Sequence, residues 1–294
     1  MDNFIGNVAV RLHQLLVEPI LVFSLRAKRL AMYGTDRIHI DELPIEWHRA
    51  DDCRAPCPLH TDKVPKLLRR YARVGAKQSG LCLTPMLIRI PDLPAVTAFD
   101  AVLKQRSTRT LSKIRSAQRR GYSARQFMLP SHVADMHAIR TSMAFRAAGP
   151  VFDRWFLKPE HIAQPASEKL PVASPCCPMH WTIWWGLFAP EPGHHQNGVE
   201  VGERLVAYVK VMRIGDLIHY TEIMGHRDRL GDGVMMLLHH EIMRWLIEAP
   251  EPAARDAKAL LYGAAEHGGP GLLTWKKRAG FVPGRLRVAS LLPL

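Results

Sequence analysis

The sequence predicts an α/β fold of the α+β kind, a sheet flanked by helices with an N-terminal extension. Three observations carry this. Strand-like runs dominate the second half, at "WTIWWGLF" (181–188), "RLVAYVKVMRI" (204–214), "LIHYTEIM" (217–224) and "AKALLYGA" (257–264). Gly215-Asp216 separates the middle two by a pair suited to a tight hairpin turn. Residues 233–248 then place Val234, Leu238, Ile242 and Trp245 on one helical face, with His240, Glu241, Arg244 and Glu248 elsewhere.

The other elements follow in order. Residues 4–33 read as a helix interrupted near Pro19, and "RIHI" (37–40) and "LCLTPMLIRI" (81–90) as strands, the second stopped by Pro91. Pro44, Pro56, Pro58 and Pro65 make the stretch between them mostly loop. From Phe99 a helical stretch carries Arg106, Arg109, Lys113, Arg115, Arg119 and Arg120 and ends at Gly121 as a C-cap. This is either a solvated face or a phosphate-contacting one; the absence of interleaved aromatics argues against base stacking. "YSARQFML" (122–129) is a short strand, Ser131 caps a helix reaching about Arg146, and a short helix lies near "DRWFL". A loop, a short helix and a strand start follow in "EHGGPGLLTWKKRAGF", and "FVPGRLRVASLL" closes the chain.

Composition narrows the function classes. The 294 residues are 47% hydrophobic, which suits a packed core. No apolar run reaches the roughly 18 residues of a membrane span, and the start Met1-Asp2-Asn3-Phe4 has no secretory leader, so a cytoplasmic location is expected. A formal charge of +13 suits polyanionic partners as well as a merely basic surface. Five cysteines are too few and irregular for a disulfide framework. Cys53, Cys57 and His60 in "CRAPCPLH", with Cys176, Cys177 and His180 in "CCPMH", could together supply four metal ligands. They lack zinc-knuckle spacing, so buried thiols and loop histidines are the expectation, and no metal.

From Tyr122 the order strand, helix, short helix, three strands, helix, strand, helix, strand resembles the GNAT acetyltransferase superfamily. The junction 217–248, the strand 257–264 and Ala279-Gly280-Phe281 after the last helix carry the likeness. "TLSKIRSAQRRGY" and "GLLTWKKRAGF" are similar to the Fem-type and BioF2-like branch. The resemblance implies a mixed, mostly antiparallel GNAT-like sheet in an acyltransferase domain over 96–294, with 1–95 an extension packing on it. It implies transfer of an acyl group from acetyl-CoA or another acyl-CoA to an amine acceptor. The Fem-type alternative takes its group from aminoacyl-tRNA, held through the basic helix 106–120. A non-catalytic nucleic-acid-binding module is the third reading.

The resemblance also assigns residues. In acyl-CoA users the turn after the fourth strand holds the pyrophosphate on backbone N–H groups at a helix N-terminus. Here that turn offers Arg227, Arg229, Gly231, Asp232 and Gly233, with Asp228 where an Arg or Gln is usual. Asp232 as an N-cap would occupy the donors a phosphate needs, so a capped turn without phosphate competes with the cradle. Glu222 is the implied general base for the amine, sharing by alternation the face of Ile218, Tyr220 and Met224; pairing with an arginine is the alternative. Lys276 stands where a general-acid tyrosine is usual and would neutralise developing negative charge. Tyr262 is a second candidate proton donor, or simply packed.

Overall fold

The computed structural model describes residues 83–288 except 147, 148 and 169, together with 8, 12–17, 20, 42–45 and 70–74. Most of the expected helix over 4–33, the strand at 37–40 and the trio Cys53, Cys57 and His60 lie outside the described residues.

Seven strands form the main sheet: β1 (Pro85–Arg89), β2 (Ser123–Phe127), β3 (His180–Pro190), β4 (Glu203–Ile214), β5 (Leu217–Gly225), β6 (Ala259–Ala264) and β7 (Val282–Pro283). Their spatial order is β7-β1-β6-β5-β4-β3-β2. All neighbours are antiparallel except β5 and β6, which run parallel. The sheet is therefore mixed and mostly antiparallel, as expected. β1 lies inside it, between β6 and β7, although the sequence reading placed residues 85–89 in the extension. Its burial explains the position: Pro85 to Ile88 are buried without alternation, which suits a strand covered on both faces. A second, all-parallel sheet joins Glu42–Ile45, Arg285–Val288 and Ala72–Val74.

The longer α-helices are α1 (Val96–Arg106), α2 (Thr110–Arg119), α3 (Val133–Thr141), α4 (Val234–Glu248) and α5 (Pro270–Arg278), and a short one, Asp153–Phe156, lies where "DRWFL" suggested it. The basic stretch is thus two helices, broken where Ser107 takes an extended conformation. Ser and Thr compete with helical hydrogen bonding, which favours a break at Ser107-Thr108. α3 is shorter than expected. Leu129–His132 is a 3-10 turn, His132 rather than Ser131 precedes the α-helix, and Ser131 caps nothing. At the other end Thr141 and Ser142 return their hydroxyls to the carbonyls of His137 and Ile139, both at 2.8 Å, and the helix stops.

Two faces of the sheet are covered differently. Phe99, Leu103, Ile114, Val234, Leu238 and Ile242 from α1, α2 and α4 pack over Val209, Val211 and Ile218. On the opposite face α3 supplies Met136 and Ile139 against Phe127, Phe188 and Tyr208. α4 also buries both histidines of its adjacent pair, and they point apart. His239 Nε2 donates to the Ala279 carbonyl at 2.9 Å, while His240 Nε2 meets Asp100 of α1 at 2.8 Å. Burial pushes His239 down to about 4, so it is neutral in the core.

Candidate active site

The site begins with one extra residue. Lys210 of β4 faces Glu222 of β5, yet the next residue, Val211, faces Tyr220. Thr221 is therefore a β-bulge, its hydroxyl donating to the Lys210 carbonyl at 3.0 Å. An inserted residue reverses the in–out alternation of everything after it. Tyr220 faces α4, where its hydroxyl meets His239 Nδ1 at 3.1 Å. Glu222 faces the other way, toward α3. The alternation argument that gave Glu222 the face of Ile218 and Tyr220 is corrected; Met224 alone of the three packs with it on the α3 side.

On that face Glu222 is held but not enclosed. The Tyr208 phenol, itself buried, donates to it in a short hydrogen bond. Arg140 of α3 lies 3.7 Å away, and 24% of the Glu222 side chain remains exposed. Arg140 also donates to Asp153 at 2.7 Å. Burial opposes the Arg140 charge, but Glu222, Tyr208 and Asp153 outweigh it and raise its pKa. Burial, reinforced by the Glu222 charge, pushes the Tyr208 phenol well above its ordinary range, so it stays a neutral donor. A carboxylate fixed on one side by a phenol and a guanidinium, with its other side open, can accept a proton from a bound amine. Arg146 completes the group: one Nη donates to the carbonyls of Ile139 and Gly225 at 2.9 and 3.4 Å.

Beside Glu222 the sheet opens. β5 and β6 are paired only at Leu217–Ala259, Ile218–Leu260 and His219–Leu261, and beyond this the parallel strands have no register. Tyr262, on the diverging part of β6, packs against Tyr220, Trp275 and Phe281 with ring centroids 5.7–6.0 Å away. Burial raises its pKa, against the pull of Arg146. Lys276 of α5 is buried, donates to the Ala264 carbonyl at 2.8 Å and lies over the Tyr262 ring at 4.9 Å. Gly263 (φ +55°) lets β6 bend around this ammonium, which lies 3.6 Å from where a Cβ would sit. Lys276 and Tyr262 thus meet each other on the α4–α5 side, while Glu222 belongs to the α3 side.

The junction after β5 is a 3-10 turn, Arg227–Asp232, followed by Gly233 and α4. Asp232 does not cap the helix. Its carboxylate accepts from Tyr122 at 2.7 Å and from Arg120 in a short ion pair, and these two bonds lower its pKa despite some desolvation. Gly233 is the N-cap residue, so no side chain takes the first N–H groups of α4. Its φ of +85° and a would-be Cβ only 3.1 Å from the Lys113 carbonyl both require glycine there. Arg227 and Arg229 are exposed. Arg229, with His226, Asp228, Asp135, Glu191 and Arg204, lines a cleft of ≈ 390 Å³ beside the turn. Arg109, Lys113, Arg115 and Arg119 are exposed along α2, and Lys113 brings that row to the N-terminus of α4.

The sequence reasoning missed Tyr208, Arg140 and Arg146. Tyr208 stood inside a long apolar strand, and only the bulge opposite Lys210 and Val211, further along the same strand, reveals its partner. No group of three or more His, Cys, Asp or Glu side chains that could hold a metal occurs among the described residues. Cys177 Sγ lies 3.5 Å from His180 Nδ1 in the interior, and Cys176 is exposed. No described helix is long and apolar enough to cross a membrane.

No family model and no curated protein matches the chain. Among solved structures it is similar to the crystal structure of FemX, with a TM-score of 0.45 and 10% identity over 76% of this chain. It is also similar to the C-terminal domain (DUF2156) of a protein assigned as a lysylphosphatidylglycerol synthetase from Agrobacterium fabrum, with a TM-score of 0.36 and 15% identity over 68% of this chain. The matches span 66% and 58% of those two chains. At such scores the likeness says nothing of substrate.

Proposed function

We propose that the chain transfers an acyl group from an activated carrier to an amine, with Glu222 as the general base. The observation that supports this most is the bulge at Thr221. It presents a carboxylate held by Tyr208 and Arg140 beside the point where β5 and β6 part. The acyl carrier would lie in that slot, against backbone groups of β5 that β6 does not pair. Its phosphates would meet the uncapped N-terminus of α4, with Arg227 and Arg229 nearby. The amine gives its proton to Glu222 and attacks the acyl carbon. An N–C bond forms, the bond to the carrier breaks, and the departing thiol or hydroxyl takes up a proton. Lys276 and Tyr262 enter as a buried cation and a neutral phenol on the β6 side, where the charge of the tetrahedral intermediate can be stabilised.

The carrier is a CoA thioester in the first reading. Turning Asp232 toward Tyr122 and Arg120 favours it, because the helix donors a pyrophosphate needs are then not occupied by a side chain. An aminoacyl-tRNA is the second reading, favoured by the exposed cations of α2 that lead to the same helix end through Lys113. Parallel titrations of acetyl-CoA and of charged bulk tRNA at two salt concentrations separate them, since RNA affinity falls steeply with salt. Under the CoA reading, replacing Arg227 and Arg229 together by alanine weakens acetyl-CoA binding roughly tenfold or more, the scale of lost charged hydrogen bonds. Saturable binding of neither carrier would overturn the function.

A further inference from the structure

Arg146 is a cation without an anion. Its Nε is shut off from solvent and has no hydrogen-bond partner. Among the described residues its guanidinium donates to two backbone carbonyls alone, those of Ile139 and Gly225. It forms no ion pair among the described residues, and each carboxylate near it has a closer partner. Asp153 receives Arg140 at 2.7 Å, and Glu222 receives the Tyr208 phenol. Burial lowers the Arg146 pKa, although Tyr208, Asp153, Glu222 and Tyr262 all act on it in the opposite sense. Arg146 is half-buried, and a charge drawn partly out of water is favoured by an anion placed against it. The guanidinium's fork of donors matches a carboxylate better than any other side chain does.

Its position matters as much as its missing partner. The bond to the Gly225 carbonyl fixes the guanidinium at the last residue of β5, where the slot is open, and the bond to Ile139 ties it to the end of α3. Glu222, Tyr208 and Tyr262 are all close enough to act electrostatically on it. Two large apolar side chains in the same segment are exposed, Phe145 beside it at 67% and Trp155 at 56%. Such rings are normally covered, and here they offer contact to an apolar group on whatever binds.

We propose that Arg146 binds the carboxylate of the acceptor, so that the amine delivered to Glu222 belongs to an amino acid or a similar carboxylate-bearing amine. This deepens the acyl-transfer reading and rests on it for the identity of the amine's partner. The carboxylate occupies the guanidinium donors that the protein leaves without an anion, and its bound amine is then directed to the open side of Glu222. Arg146 thereby selects among acceptors, while the chemistry stays with Glu222.

The test compares two probes that differ by one group, L-phenylalanine and phenethylamine, binding to the full chain by calorimetry. L-phenylalanine is expected to bind roughly 10- to 100-fold tighter, the range for a lost charge-assisted hydrogen bond. The Arg146→Met variant should erase that preference and leave phenethylamine affinity unchanged. The Arg146→Lys variant should keep part of it. Equal affinities in the wild-type chain, no binding of either probe, or a preference surviving in Arg146→Met would overturn the proposal. If Arg146→Met does not fold, the wild-type pair and Arg146→Lys still decide. Efficient transfer to both amines alike would sink this inference and leave acyl transfer standing. A carboxylate preference with no transfer would do the reverse.

Discussion

The two glycines of the junction make opposite demands, and substituting each by alanine separates fold from function. Gly233 has φ +85°, and an added Cβ would stand 3.1 Å from both the Lys113 Cβ and its carbonyl oxygen. The left-handed backbone alone costs a β-carbon about 1–2 kcal/mol. The contact is tighter than van der Waals distance and one neighbour is backbone, so α2 must shift by a few tenths of an ångström. Gly233→Ala should therefore lose about 2–3 kcal/mol in total, in line with other strained positions. Gly231 has no atom within 4 Å of its would-be Cβ and no positive φ. Gly231→Ala should change stability by less than about 0.5 kcal/mol, yet its methyl would crowd a phosphate lying on the turn. Urea denaturation of both variants gives the first quantity, and the acetyl-CoA dissociation constant of the Gly231 variant gives the second. Similar destabilisation by both substitutions would refute the packing of α4 against α2. A stable Gly231→Ala chain that binds acetyl-CoA normally would remove phosphate from the turn.

Two other perturbations follow from buried polar groups. His219 and His239 are pushed to about 4 by burial, against 6.5 when unfolded. Between pH 6.5 and 4 the unfolded chain binds more protons, so stability present above 6.5 falls as pH drops, by about 1.4 kcal/mol per pH unit for each histidine. His239→Gln should be less stable at pH 7.5 and show a shallower fall to pH 5 in urea melts; an unchanged slope would mean the imidazole is not neutral and buried. Tyr208→Phe removes the phenol that fixes Glu222 and should lower kcat roughly 10- to 100-fold with KM nearly constant, from the loss of one charged hydrogen bond. A rise in KM alone would make Tyr208 a binding residue.

Much of this fold was legible because its signals are local. Gly215-Asp216 marks the hairpin, Val234, Leu238, Ile242 and Trp245 mark the buried face of α4, and both lie where the sequence puts them. The site was less legible, since its decisive feature depends on register. Nothing in "LIHYTEIM" shows that Thr221 is an extra residue, because the bulge exists only relative to β4. Strict alternation therefore gave Glu222 the wrong face and hid Tyr208. Asp232 misled for a related reason. As a residue type it suits an N-cap, but Tyr122 and Arg120, more than a hundred positions away in the chain, compete successfully for its carboxylate. Pro85–Arg89 escaped the core assignment because its partners, β6 and β7, come from the far end of the chain.

Single-turnover transfer by the Glu222→Gln variant bears most directly on acyl transfer at the β5–β6 slot. The variant keeps the side chain's shape and removes its basicity. With whichever carrier binds in the salt-resolved titrations, and an amine acceptor in excess, turnover should fall on the order of 100- to 10,000-fold, the range for loss of a positioned general base. Carrier affinity should stay within about twofold of wild type, since Glu222 lies on the α3 side and the phosphate contacts proposed for the carrier are at α4. A variant that transfers at a near-normal rate, or one that loses the carrier along with turnover, would contradict the role of Glu222 and with it the function proposed for this slot.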